Sequence, residues 1–177
     1  MMEKISWRSE WRIDRFHDPS GLIAKALQSG LSLEEATQQW KNEHLGGEVF
    51  EANVALNEGL QELIDIICGL GSPTEWDNTN ARLGVGDSNA AEDAAQTGLQ
   101  GSNKSFKAMD ATYPQRSNQT AEWRATFGSA EGNHGWREFT VVNAADDSGK
   151  NLNRKTTDKG TKTSGETWTL SLKITFS

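Results

Sequence analysis

The end of the chain alternates strictly between apolar and polar residues. In GETWTLSLKITFS the apolar side chains fall on every second position: Trp168, Leu170, Leu172, Ile174 and Phe176. Successive side chains of a β-strand point to opposite faces of a sheet, so this spacing predicts a strand over 166–176 with one buried face. We expect these five side chains to belong to the core. We also expect the strand to lie centrally or to pair with an early strand.

A second alternating segment, ISWRSEWRIDRF, stands near the start of the chain. Its apolar residues are Ile5, Trp7, Trp11 and Ile13, and charged residues occupy most of the positions between them. Two interpretations are open: the segment is the first strand of the fold, or it is an arm that adds to the sheet of a neighbouring molecule. In the second case the four apolar side chains form an assembly interface, since buried aromatic residues dominate many interfaces.

Helical spacing replaces the alternation between residues 20 and 71. Ser32 and Glu35 have the spacing of a capping box, and Gly46 and Gly69 are typical stop signals. A later stretch carries what reads as a single apolar stripe of a helix: Leu56, Leu60, Leu63, Ile64 and Ile67. The sequence therefore predicts a helical N-terminal region.

From about residue 72 onward the chain is rich in Gly, Asn, Ser and Thr, with short alternating runs between turn signals. These runs predict strands at 81–85, 104–109, 121–127, 136–142, 152–156 and 166–176. Six short strands without intervening helices favour an antiparallel β-sandwich, jelly-roll-like in form. The predicted fold class is therefore α+β, with an N-terminal arm and helical region over 1–71 and a sandwich domain over 72–177.

Composition narrows the classes of partner. The net charge is −7 and no basic cluster is present, which argues against nucleic-acid binding. No apolar run is long enough to predict a membrane-spanning helix, and the single Cys68 excludes an intramolecular disulfide. Among the seven Trp residues, Trp76 lies in a predicted loop and is a candidate for an exposed contact, with an assembly partner or with a host glycan.

The sequence offers little catalytic chemistry. The three histidines are far apart and have no metal-ligand spacing. Ser88 lies in GDS, the start of a hydrolase motif, but the Asp-x-x-His that completes the motif is missing. The acidic run at Asp146 and Asp147 lacks the alternating ligands of a calcium loop. We therefore expect no enzyme activity, no metal and no cofactor.

Several ordered segments carry a family resemblance from about residue 79 to the end: NARLGVGDS, AAQTGLQG, KAMDATYP, TFGSAEGN and GTKTSGETWTLSLKITFS. This part, a little over half of the chain, resembles small virion structural proteins of tailed bacteriophages, which include head decoration and fibre-like proteins. The resemblance implies a β-rich module in many copies on a virion that is assembled in the host cytoplasm. It implies the major capsid protein and copies of the chain itself as partners, and no catalytic residues.

The resulting functional expectation is a non-enzymatic capsid decoration or cement protein that binds and stabilises the head shell, with no nucleic-acid or membrane partner. Two alternatives stay open. One is a tail, baseplate or fibre-attachment component. The other is a glycan-binding β-sandwich module that uses exposed tryptophans.

Overall fold

The computed structural model describes residues 6–51 and 54–177. In chain order its elements are β1 (Trp7–His17), α1 (Leu22–Gln28), α2 (Leu33–Gln39), β2 (His44–Glu51), β3 (Val54–Ala55), α3 (Asn57–Cys68), β4 (Arg82–Gly86), β5 (Lys104–Ala108), β6 (Gln115–Ser117), β7 (Thr120–Phe127), β8 (Glu138–Val142), β9 (Asn153–Thr156) and β10 (Glu166–Phe176). Within these described residues no helix combines the length and apolarity that crossing a membrane requires.

The strands form two antiparallel sheets of five strands each. The first sheet has the order β2-β1-β10-β7-β6, and the second has the order β3-β9-β8-β4-β5. Together with the three short helices, the sheets confirm the predicted α+β class. All six strands predicted beyond residue 72 are present, with boundaries shifted by at most two residues.

The last strand is central, as its sequence pattern predicts. β10 pairs along its whole length with β1, from Trp7 opposite Phe176 to His17 opposite Glu166, and pairs on its other side with β7. Four of its five predicted core residues are buried: Trp168, Leu170, Leu172 and Ile174. Phe176 is the exception, with 38% of its surface exposed, because it lies at the end of the strand where the sheet no longer covers it.

One apolar core draws on both sheets. The inward faces of β1, β7 and β10 meet those of β4 and β8, with Trp11, Trp136 and Phe139 among the largest fully buried side chains. Trp136 contacts Trp168 edge to face, with ring centroids 4.9 Å apart, and contacts Phe139 in the same way at 6.3 Å. Large aromatic rings therefore fill the space between the sheets, as the abundance of Trp suggests.

The predicted helical N-terminal region is not confirmed in that form, because strands interrupt it. The segment HLGGEVFE, read as the end of a helix and a stop, forms β2 and pairs with β1. Its Phe50 stacks on Trp11 with centroids 6.3 Å apart, so packing on the core decides its conformation. The division of the chain near residue 71 stays a prediction. Strands from both sides of that position share the first sheet.

The two interpretations of the N-terminal segment are now distinguishable. β1 is an interior strand with β2 on one side and β10 on the other, so both of its edges are already paired. An arm that offers β1 to a neighbouring molecule is therefore wrong for residues 7–17. Ile5 lies outside the described residues.

A layer of helices covers one end of the outer face of the first sheet. Leu27 on α1 packs with Phe16 and Ala36 in a small second cluster. Polar contacts beside this cluster also join α1 to the sheet: the buried Arg124 of β7 donates to Asp110 at 2.8 Å and to the backbone oxygen of Leu27 at 2.9 Å. The other end of this outer face is not covered by the helices.

We predict that Leu172→Asp abolishes cooperative folding. Leu172 is fully buried in the middle of the central strand, and an unpaired charge at such a position costs at least about 4 kcal/mol of unfolding free energy. The measurement is a thermal melt followed by circular dichroism. Lys173→Gln, one residue along on the opposite face, is the control and should change stability by no more than about 0.5 kcal/mol. A melt of Leu172→Asp close to that of the parent would contradict the assignment.

Candidate functional site

Helix α3 carries an apolar surface that faces away from the fold. Leu60, Ile64 and Ile67 are 36%, 54% and 75% exposed, and Leu70, just after the helix, is 55% exposed. The three helical residues follow an i, i+4, i+7 spacing, which places them along one side of the helix. Isolated exposed apolar residues are ordinary on proteins, but a contiguous apolar strip of this kind marks an interaction surface. We call Leu60, Ile64, Ile67 and Leu70 the α3 strip.

The side of α3 that adjoins the strip is packed against the fold. Leu63 and Ile66 contact the main core, and Leu56, which precedes the helix, is fully buried. Sequence spacing predicts one apolar stripe on this helix, and the structure buries only one edge of that stripe. The apolar residues divide between an inner face that holds the helix in place and the outer α3 strip.

The acidic residues of α3 are turned toward the fold. Glu58 accepts hydrogen bonds from the Asn151 backbone N–H at 2.9 Å and from its side-chain amide. Glu62 accepts from the Thr74 backbone N–H at 2.7 Å and from the side chain of Asn143. Asp65 is only partly exposed. The residues of the helix that are classed as exposed are all uncharged: Asn57, Leu60, Gln61, Ile64, Ile67 and Cys68.

Close backbone contact fixes the position of α3. A Cβ atom added to Gly59 would lie 2.4 Å from Cα of Leu152 and 2.5 Å from the backbone oxygen of Asn151. No real side chain tolerates such a distance to backbone atoms, so only glycine lets the helix approach the segment that leads into β9. The α3 strip is therefore presented by a helix that is seated on the core at its first turn.

A polar groove lies on the uncovered end of the first sheet's outer face. It has a volume of about 570 Å³ and is lined by the β6–β7 hairpin together with Glu10, Glu122, Lys173 and Thr175. Two ion pairs lie in or beside it: Lys173 lies 3.9 Å from Glu122, and Arg8 bonds Glu51. None of the residues that line it is aromatic. Such a groove offers no ring platform for a sugar.

A serine and a histidine that are distant in sequence meet on β5. The Ser105 hydroxyl lies 3.0 Å from Nε2 of His134, and Nδ1 of His134 lies 2.9 Å from the backbone oxygen of Gly135. A base oriented in this way is one part of a catalytic serine site. Ser105, however, lies within a regular strand pair opposite Val85 and not at an exposed turn. We interpret this pair as a structural hydrogen bond that holds the loop at His134 against β5.

Lys162 is a buried lysine with a lowered pKa. Burial lowers its pKa to about 8, although Glu166 and Glu131 act in the opposite direction. Its ammonium group donates to the backbone oxygen of Gly128 at 2.8 Å and to Oδ1 of Asn133 at 2.9 Å. The residue is 1% exposed, so its role is to hold the 128–133 loop and not to attack a substrate.

The other site residues predicted from sequence are mostly inside the fold. Trp11 and Ile13 are fully buried, and Trp76 is 7% exposed with its Nε1 donating to the backbone oxygen of Lys150 at 3.1 Å. Trp76 is therefore not an exposed contact in this structure, because it belongs to a loop that packs onto the core. The assembly interface predicted for Trp11 and Ile13 stays a prediction, and both side chains are buried within the fold. Trp7 is partly buried and meets Phe176 edge to face at 5.7 Å.

Comparison of the chain with protein-family models, with curated proteins and with solved structures gives no match. Within the described parts of the chain, no group of three or more His, Cys, Asp or Glu side chains is arranged to hold a metal ion. Among the features described above, the α3 strip qualifies best as an interaction site because of its exposed apolar side chains.

We predict that Gly59→Ala destabilises the protein by about 1–3 kcal/mol, because the new methyl group must displace backbone atoms. The measurement is the free energy of unfolding in urea. Gly135→Ala is the matched control, since its added Cβ would have no heavy atom closer than 3.7 Å. Equal stabilities of the two variants would show that the close contact of α3 with residues 151–152 does not exist.

We predict that Lys162 gives the protein a pH-dependent stability in the alkaline range. The unfolded chain holds this proton up to its ordinary pKa of 10.5, whereas the folded chain releases it at about 8. Between these values the unfolded state binds more protons, so this group makes stability rise with pH. Relative to Lys162→Met, the parent should therefore gain stability from about pH 8 to about pH 10.5. Parallel stability curves for the two proteins would contradict the prediction.

Proposed function

We propose that this protein is a non-enzymatic structural protein of a tailed-bacteriophage virion, and specifically a capsid decoration protein that binds the major capsid protein. We also propose that its fold is a jelly-roll-like β-sandwich. The two antiparallel sheets and the core that they share support this proposal. The proposal places the protein on the assembled virion, after folding in the host cytoplasm.

The single observation that carries this proposal is the α3 strip. An acidic protein with net charge −7 that keeps three large aliphatic side chains at 36–75% exposure on one helix has a surface suited to assembly. Apolar contacts of this kind can hold subunits together without catalytic residues or covalent bonds. The family resemblance beyond residue 79 supplies the biological setting.

The two alternatives differ in their support. A tail, baseplate or fibre-attachment component would use the α3 strip in the same way, so only the location in the virion separates it from a decoration protein. A glycan-binding module has less support, because Trp76, Trp123, Trp136 and Trp168 are all at least nine-tenths buried. Exposed rings are what such a module requires to stack on sugars.

We predict that the purified protein binds empty heads of the phage that encodes it, and that binding saturates at a fixed number of copies per head. The measurement is co-sedimentation with heads, followed by quantification of the bound protein. Ile64→Asp should weaken this binding at least about tenfold, equivalent to about 1.4 kcal/mol, because it places a charge in the centre of the α3 strip.

Leu22→Asp is the matched control for this experiment. Leu22 is 62% exposed on α1 and lies outside the α3 strip, so its substitution should leave head binding unchanged. Purified tails serve as the second target. Binding to tails and not to heads would replace the decoration role with the tail alternative, and binding to neither would overturn the proposed function.

A further inference from the structure

We infer that the α3 strip is the contact between two copies of this chain, which pair through antiparallel α3 helices about a two-fold axis near Ile64. This inference rests on the proposed function in treating the strip as an assembly surface. It goes further by naming the partner that covers the strip. The paired copies bind the head together, so Ile64→Asp weakens head binding because it separates the copies and removes the second attachment.

The geometry of the strip is self-complementary. Helical residues at i, i+4 and i+7 form a seam that a second helix can cover. If two α3 helices lie antiparallel about a two-fold axis, Ile64 of each copy faces Ile64 of the other, and Leu60 faces Ile67. Every apolar side chain of the helical seam then meets an apolar side chain. Closed pairs with this symmetry are the commonest form of protein oligomer.

The distribution of charge also favours a second copy. Two copies that each carry a net charge of −7 repel each other wherever their carboxylates approach. On α3 the carboxylates of Glu58 and Glu62 are bonded to backbone and side-chain donors of the fold. Asp65 is partly exposed but lies on another side of the helix from the strip, and the exposed residues of the helix are uncharged. The strip is therefore a surface on which two acidic copies can meet without opposing charges of the same sign.

A different partner would be expected to leave another pattern. Electrostatic complementarity sets specificity and orientation between unlike proteins. The strip is flanked on the helix by Asn57, Gln61 and Cys68, none of which carries the charge that would orient such a partner. A symmetric pair does not need such orienting charges, because each copy supplies the same groups to the contact.

The test is the mass of the purified full-length protein in solution, measured by sedimentation equilibrium over a range of concentrations with no virion component present. We expect the mass to rise from the monomer value of 19.5 kDa to twice that value. Ile64→Asp should stay monomeric over the same range, and Leu22→Asp should dimerise like the parent. A melt of each variant that matches the parent shows that the fold is retained.

Cysteine cross-linking tests the symmetry. In a Cys68→Ser background, Ile64→Cys should form a disulfide-linked dimer under mild oxidation, because the two positions face each other at the axis. Leu22→Cys in the same background should not. A linked Leu22→Cys dimer, or an unlinked Ile64→Cys protein, would overturn the antiparallel pairing.

The outcomes separate the inference from the proposed function. A parent that stays monomeric but binds heads through Ile64 overturns the inference, and makes the shell the occupant of the strip. A dimer that persists in Ile64→Asp also overturns it, since the copies then meet elsewhere. A dimer that depends on Ile64 but binds neither heads nor tails supports the inference and removes the proposed function.

Discussion

The central position of β10 is the constraint on which the rest of the structure depends. This strand forms backbone pairs with β1 on one side and β7 on the other, and its inward side chains supply Leu170, Leu172 and Ile174 to the core. Because β1 and β10 are far apart in the sequence, the first sheet is complete only when the residues between them have folded. Such long-range pairing is costly in loop entropy, and the burial of large apolar side chains offsets that cost.

Two buried ion pairs hold the segments that connect the sheets. Arg124 bonds Asp110 beneath the first helix, and Arg154 bonds Glu138 at 2.7 Å within the second sheet. Glu138 also accepts the backbone N–H groups of Gln100 and Gly101, so a long loop is tied to the sheet through one carboxylate. Buried pairs add little net stability, but the loss of one partner is costly, which makes the fold specific at these points.

The proposed function follows from how α3 is attached to this framework. Its inner face and its carboxylates are occupied by the core and by the loops near Asn143 and Asn151. What remains outside is apolar and uncharged, on a helix that Gly59 seats firmly against residues 151–152. A rigid, neutral, apolar helix face on an acidic protein is suited to joining subunits. The polar groove of the first sheet, which no aromatic residue lines, has no comparable apolar surface.

The sequence by itself determined six of the seven described strands beyond residue 72, because an alternation of apolar and polar residues has the period of a half-buried strand. It missed the short β6, whose three residues are all exposed and carry no alternation. It also determined the capping box of α2, in which Ser32 and Glu35 bond each other's backbone N–H groups, since such caps are local. It did not determine β2, because HLGGEVFE becomes a strand only when β1 lies beside it. Nor could it place Trp11 and Ile13 in the core, since alternation says that one face is covered but not by what. The candidate site shows the same limit: five apolar residues of α3 were visible in the sequence. Only the position of the core decided that Leu63 faces inward while Leu60, Ile64 and Ile67 face solvent.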